Sequence, residues 1–252
     1  MRQRNIFFII FLSCSIPLVA DEVELRLCYL CGEREVEGEN YLKAVDMTLD
    51  IGQMVSRFYY RDTIDHTKYP SSDPRGRKTA SYSILKNYPS EGLLVYAENF
   101  TPNGKIYRYE EEMPQWEWEL QEGDSIILGY PCKKATAYFR GRTWIAWYAI
   151  DLPYDSGPWK MNGLPGLILY AHDIERSFFF RCNRIEKGDG PPIEEEKRNY
   201  VKIIPKRLNE IKGLRITDYN TFYFETTGIV MKTSFNDPLL KERKPCFIET
   251  YE

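Results

Sequence analysis

The sequence predicts a mainly β protein: a single antiparallel sheet of meander type, closing as a half-barrel, a barrel or a sandwich, with one or two short helices. Three observations carry that prediction. Most periodic segments alternate apolar and polar residues with period two, the spacing of a half-buried strand. Short turn-forming clusters separate neighbouring segments, as they do in consecutive hairpins. No long apolar stripe with a 3.6-residue period marks a core helix. The composition agrees with a globular chain: 252 residues, 43% apolar, 15% aromatic and 28% charged. β domains of this length are commonly single, so the expected organisation is a signal peptide over residues 1–20 and one domain over 21–252.

The signal comes first along the chain. Arg2 and Arg4 precede an unbroken apolar run over 6–12, and Leu18-Val19-Ala20 places a small residue before Asp21. Cleavage is expected after Ala20. The competing reading attaches a lipid at Cys14, whose preceding residues Phe11-Leu12-Ser13 match a lipid-attachment box loosely. No other stretch has the apolar length of a membrane-spanning helix. Losing Arg2 and Arg4 with the signal takes the formal charge from -3 to -5, which excludes the electrostatic footprint of a nucleic-acid binder.

Residues 23–29 alternate like a strand. Segments 47–51 and 54–60 flank Gly52-Gln53, and 93–100 and 105–109 flank Thr101-Pro102-Asn103-Gly104. Segments 135–139 and 143–149 flank Arg140-Gly141-Arg142, and 167–173 runs into 178–184 across Glu175-Arg176-Ser177. A last hairpin is expected from 222–225 and 229–233 around Thr226-Thr227-Gly228. Short helices are expected over 78–87 and 193–203, and loops over 70–77 and 188–192.

Five cysteines belong to 21–252: Cys28, Cys31, Cys132, Cys182 and Cys246. An oxidising compartment favours pairing some of them, leaving an odd one over. Cys28-Tyr29-Leu30-Cys31 has the spacing of redox and zinc sites. It lacks a second ligand pair for zinc, and it lies in a strand pattern rather than at a helix N-terminus. Structural disulfides or inert thiols are therefore the expectation, with no metal and no cofactor.

The densest motif region begins with Cys132-Lys133-Lys134-Ala135, Arg140-Gly141-Arg142 and Trp144-Ile145-Ala146-Trp147-Tyr148. It continues through Gly157-Pro158-Trp159-Lys160 to Gly163-Leu164-Pro165-Gly166-Leu167-Ile168. This ordered set resembles the GLPGLI family of exported bacterial proteins. The resemblance implies an envelope location, in the periplasm or at the outer membrane or cell surface of a Gram-negative bacterium. It also implies a tendency to accompany outer-membrane transport receptors, and no established activity.

The same stretch contains a connection over 151–166, longer than the roughly 4 to 6 residues usual in compact domains. Pro165-Gly166 fits the centre of a type II turn, and Gly157-Pro158 adds a second rigid point. One reading packs this loop across an end of the sheet and sets the register of the next hairpin. The other makes it a partner-binding or ligand-binding loop formed by Asp151, Pro153, Gly157, Pro158, Trp159, Lys160, Gly163, Leu164, Pro165 and Gly166. On that second reading, alanine at Trp159 and Leu164 abolishes partner capture while leaving the fold intact.

Standard catalytic machinery is missing from the sequence. His66 and His172 are its only histidines, and no HExxH, GxSxG, Walker A or GxGxxG pattern stands in the required context. Cys132 or Cys182 with His172 and Asp173 has the residue types for nucleophilic catalysis, but adjacent strand residues point to opposite faces. Glu110-Glu111-Glu112 and Glu194-Glu195-Glu196 read as solvated surface. Trp116 and Trp118 are expected on one face of a strand. Trp144 and Trp147 are expected on opposite faces, at least one of them in the core. The function expected is an exported, non-catalytic envelope protein binding an outer-membrane protein or a small apolar or glycan ligand. The alternatives are an envelope hydrolase and an apolar-ligand carrier.

Overall fold

The computed structural model describes residues 21–39, 43–60, 81–231 and 238–251. The expected signal peptide with Cys14, His66 and the expected loop over 70–77 lie outside these residues. Twelve strands follow in chain order: β1 Leu25–Glu33, β2 Lys43–Ile51, β3 Ser56–Tyr60, β4 Ser81–Lys86, β5 Leu93–Asn99 and β6 Ile106–Glu112. β7 Glu119–Ile127, β8 Tyr130–Phe139, β9 Arg142–Ala149, β10 Leu167–Asp173, β11 Phe178–Lys187 and β12 Tyr200–Lys202 complete the set. Two helices come last, α1 Pro205–Thr217 and α2 Tyr219–Thr227, before a 3-10 turn at Pro238–Glu242. Among the described residues, no helix is long and apolar enough to cross a membrane.

All twelve strands form one sheet in the order β12-β6-β5-β4-β3-β2-β1-β11-β10-β9-β8-β7. Every neighbouring pair is antiparallel except β12 with β6. Two meanders, β1 to β6 and β7 to β11, are thus joined along β1 and β11. Their covalent link, residues 113–118, dictates the shape. In a flat sheet β6 and β7 would lie roughly 48 Å apart, whereas so short a segment spans about 25 Å at most. The sheet must curl. Arg140, in the β8–β9 turn, closes across the gap onto Glu111 of β6 at 2.9 Å. The two edge strands do not pair with each other, so the result is an open half-barrel rather than a closed barrel or a two-sheet sandwich.

One face of each long strand except the exposed β7 points into this curl. Leu27, Tyr29, Met47, Leu49, Phe58, Ile84, Leu94 and Trp144 supply a continuous core, completed by Leu208 and Ile211 of α1 and Phe222 of α2. The outer face of β4 and β5 is covered too. Val23 and Ile193 pack on Leu85 and Val95, and Asp21 anchors that cover by accepting from the backbone N–H groups of Gln53, Met54 and Val55 at 2.7–3.0 Å.

Three local expectations are corrected. Residues 81–86 of the expected helix over 78–87 form β4, because pairing with β3 and β5 on both sides outweighs local preference. Its inward face includes Lys86, a polar letter that hides the strand period. The expected helix over 193–203 is extended: Ile193 bridges to Asp21, and Tyr200–Lys202 pairs with β6. Of the expected hairpin at 222–233, residues 222–227 belong instead to α2, and residues 232–233 lie outside the described residues. Asp218 caps its start by accepting from Thr221 N at 3.1 Å, and Gly228 ends it at φ 76°. Thr226-Thr227-Gly228 is therefore a helix terminus, not a hairpin turn. α1, opened by Pro205, and the largely exposed edge strand β7 were not expected.

Candidate functional site

The 151–166 connection folds inward as a plug. Ser156 through Met161 and Leu164 are buried, with Trp159 at 1% exposure and Lys160 and Met161 at 0%. Of the ten loop candidates, Gly157, Pro158, Trp159, Lys160, Leu164 and Gly166 face the interior. Asp151, Pro153, Gly163 and Pro165 stay outside. The type II turn at Pro165-Gly166 does not form, since Gly166 is not among the glycines with positive φ. Gly166 N donates instead to Leu164 O at 2.8 Å, across Pro165. Glycine is required at 166 for space: a Cβ there would stand 2.3 Å from the carbonyl oxygen of Ala149.

Two buried lysines hold the plug from opposite sides. From the sheet, Lys86 Nζ donates to Gly157 O at 2.6 Å and Met161 O at 2.9 Å. From the loop, Lys160 Nζ donates to Tyr109 Oη at 2.9 Å and Glu249 Oε1 at 2.6 Å, and forms an ion pair with Glu111. Trp116 and Trp118 seal the loop's backbone through Nε1, donating to Lys160 O at 3.0 Å and Asn162 O at 2.7 Å. Both indoles lie in the 113–118 link rather than in a strand, stacked at 4.9 Å. Trp144 is fully buried and Trp147 half-buried, on the two faces of β9.

Burial lowers the Lys86 pKa to about 7, Asp155 opposing that only weakly. The unfolded chain therefore holds a proton between about pH 7 and the ordinary lysine value that the folded chain has released, and stability rises with pH there. Urea denaturation of the protein and of Lys86→Met between about pH 7 and 9 is expected to show this rise in the former only. Parallel profiles would contradict the assignment.

Beside the plug lies a cavity of about 70 Å³ between the inner sheet face and α1. Trp159, Tyr82, Tyr96, Phe100, Phe178 and Phe180 form its aromatic wall. Tyr82 and Tyr96 stack at 5.7 Å, and Tyr96 and Tyr109 at 4.8 Å. Burial raises the phenol pKa values of all three, so they remain neutral donors. Two ion pairs stand at the cavity, Lys212 with Glu98 at 3.1 Å and Arg215 with Glu35 at 2.9 Å, and Glu33 lines it as well. Burial works against the Lys212 ammonium, but Glu98 and Glu33 together outweigh it and its pKa ends up raised. By the space one water requires, the cavity takes roughly five to seven non-hydrogen atoms. Trp159, a loop candidate in the sequence, stands in this wall, whereas the tyrosine ladder is not among the sequence candidates. Its signal was the inward period of β4 to β6, obscured in β4 by Lys86.

The five cysteines are free, buried thiols. Cys28 and Cys31 sit three apart on β1 and so point to opposite faces, and the pairing expected of an exported chain is not made. Cys132 and Cys182 donate to the carbonyls of Tyr130 and Arg184, each at 3.4 Å, and not to His172. Burial raises the Cys31 and Cys132 pKa values and pushes Cys182 up to about 12, which disfavours the thiolate a nucleophile needs. His172 Nδ1 contacts the carbonyl of Asp173, while the Asp173 carboxylate accepts from Arg142 at 2.8 Å and Phe178 N at 2.7 Å. The nucleophilic arrangement that the residue types allow, and that the strand geometry argues against, is not assembled among these side chains. At about pH 8 a chromogenic disulfide reagent is expected to leave the five thiols of the native protein unreacted over minutes and to modify all of them in denaturant without reductant. Fewer than five after denaturation would reveal a disulfide.

No family model matches the chain, and no curated protein matches it in sequence. Among solved structures it is similar to PNGF-II in two crystal forms, P21 and C2. Each superposes with a TM-score of 0.53 at 14% identity, covering 75% of this chain and 32% of the PNGF-II chain. The likeness is one of fold. The chain spans about a third of the length of the PNGF-II chain it matches.

Proposed function

We propose that this chain is an exported envelope protein of the GLPGLI type. It holds a small apolar group in the cavity between its curled sheet and α1, without chemical conversion, as an accessory to an outer-membrane transport receptor. The observation that carries the ligand reading is the aromatic-walled cavity of about 70 Å³, one wall of which is Trp159 from the buried plug. The aromatic wall favours a ligand held by packing, while two of the charged groups that line the cavity, Glu98 and Glu35, are taken by Lys212 and Arg215. The ordered motifs from Cys132 to Ile168 support the envelope location and the receptor association. A receptor would meet the outward loop residues Asp151, Pro153, Gly163 and Pro165, because Trp159 and Leu164 are buried.

Isothermal titration with phenol, a ring of the right size, tests the cavity. Saturable one-to-one binding that disappears in Val45→Trp, which fills the space, is the expected result. Equal binding by both proteins would place the ligand elsewhere, and no binding by the unaltered protein would remove the apolar-ligand reading.

A further inference from the structure

A second pocket, of about 60 Å³, opens on the opposite, outer face of the sheet over β3 to β6, beneath residues 194–200. Its floor includes Arg57 of β3, whose side chain is only 6% exposed. The charges around that guanidinium are unequal. Asp50, wholly buried, is taken by Arg26 through Nε at 2.7 Å and Nη2 at 3.1 Å, and by Tyr59 Oη at 3.0 Å. Arg57 Nη2 stands back at 3.6 Å from the same carboxylate, and neither its Nε nor its Nη2 has a hydrogen-bond partner. Two guanidinium groups thus share one buried carboxylate. Arg26 has Asp189 as a second partner at 3.1 Å, whereas Arg57 has besides it, among the described residues, only the face of the Tyr59 ring at 4.6 Å, which leaves its desolvation only partly offset.

The rim carries the opposite sign. Glu195 is bound by Arg108 and Glu196 by Arg198, whereas Glu194 is exposed and makes no ion pair among the described residues. Between the cation of the floor and the free carboxylate of the rim, Leu85, Val95, Ala97 and Ile106 make an apolar wall. The volume admits roughly four to six non-hydrogen atoms.

We propose that this pocket binds a small zwitterionic α-amino acid of the size of alanine. Its carboxylate lies against Arg57, its ammonium against Glu194, and its methyl group on the apolar wall. A planar carboxylate suits a guanidinium, and a single negative charge suits a rim that is itself acidic better than phosphate would. The pocket opens on the other face of the sheet from the aromatic cavity, and Tyr82 borders both.

Isothermal titration of the full protein with alanine, and with its two halves propionate and ethylamine, tests the assignment. Alanine is expected to bind saturably at one site, with each half-ligand at least tenfold weaker. Arg57→Met is expected to weaken alanine binding at least tenfold. Glu194→Gln, a surface change that leaves the fold untouched, is expected to weaken it severalfold, and Ala97→Leu to abolish it by filling the wall. Absence of saturable alanine binding to the unaltered protein overturns the proposal. So does alanine binding unchanged in Glu194→Gln, or propionate binding as tightly as alanine.

Discussion

Lys160→Met is expected to lower the free energy of unfolding by about 3–5 kcal/mol, the cost of leaving a buried partner charge uncompensated. Lys160 is fully buried and stands between Glu249, at 2.6 Å, and Glu111, with Tyr109 Oη as a third acceptor at 2.9 Å. Burial alone would raise the Glu249 pKa. Lys160, with Tyr251 and Arg140, outweighs it and holds that carboxyl below its ordinary value of 4.5. A carboxyl depressed in the folded state contributes stability above its unfolded pKa, and that contribution is lost as pH falls through the folded value. Urea denaturation is therefore expected to show stability falling below about pH 4.5 in the unaltered protein and a flatter profile in Lys160→Met. Adding Glu249→Gln to Lys160→Met is expected to recover part of the loss, since the orphaned charge goes with it. A loss below about 1 kcal/mol for the single variant would mean that the plug is not held by this network.

Trp159→Ala is expected to cost about 3–5 kcal/mol, the range for removing a large buried aromatic side chain. Its ring meets Trp144 at 5.7 Å, Trp116 edge-on at 6.1 Å and Phe139 edge-on at 5.9 Å. Its backbone sits at φ 52°, a conformation that surrounding packing must enforce in a residue with a bulky side chain. The measurement is the urea midpoint together with near-ultraviolet circular dichroism, which reports the aromatic cluster. A variant with unchanged midpoint and spectrum would contradict the inward placement of the plug. Alanine at Trp159 and Leu164 accordingly reads out stability. Exchange at Asp151, Pro153 and Pro165 reads out partner capture without disturbing the core.

Much of the sheet was legible in the sequence because its hairpins are local. Gly52-Gln53, Pro102-Asn103-Gly104 and Gly141 each sit between segments of period two, and the structure turns at all three. The losses have physical causes. Lys86 breaks the apolar period of β4 because its partners are carbonyls of a loop remote in sequence. β7 is an exposed edge with a bulge at Gly123, φ 136°, so no buried face imprints a period on it. α2 was misread because Tyr219, Phe222, Tyr223 and Phe224 favour strands intrinsically, while the Asp218 cap and Gly228 terminus settle the helix. The length of the 151–166 loop marked it as special. Its direction was not legible, because inward packing depends on Lys86, Glu111 and Glu249, which come from three distant parts of the chain.

On the proposed function, this curled sheet, plugged by its own loop, carries a small ligand against Trp159. Native mass spectrometry of the protein isolated gently from its own envelope fraction, beside Val45→Trp prepared identically, tests it most directly. The account predicts a chain beginning at Asp21 with a noncovalent small-molecule mass that is released on denaturation and missing from Val45→Trp. A bare chain in both preparations, or the same bound mass in both, would contradict it.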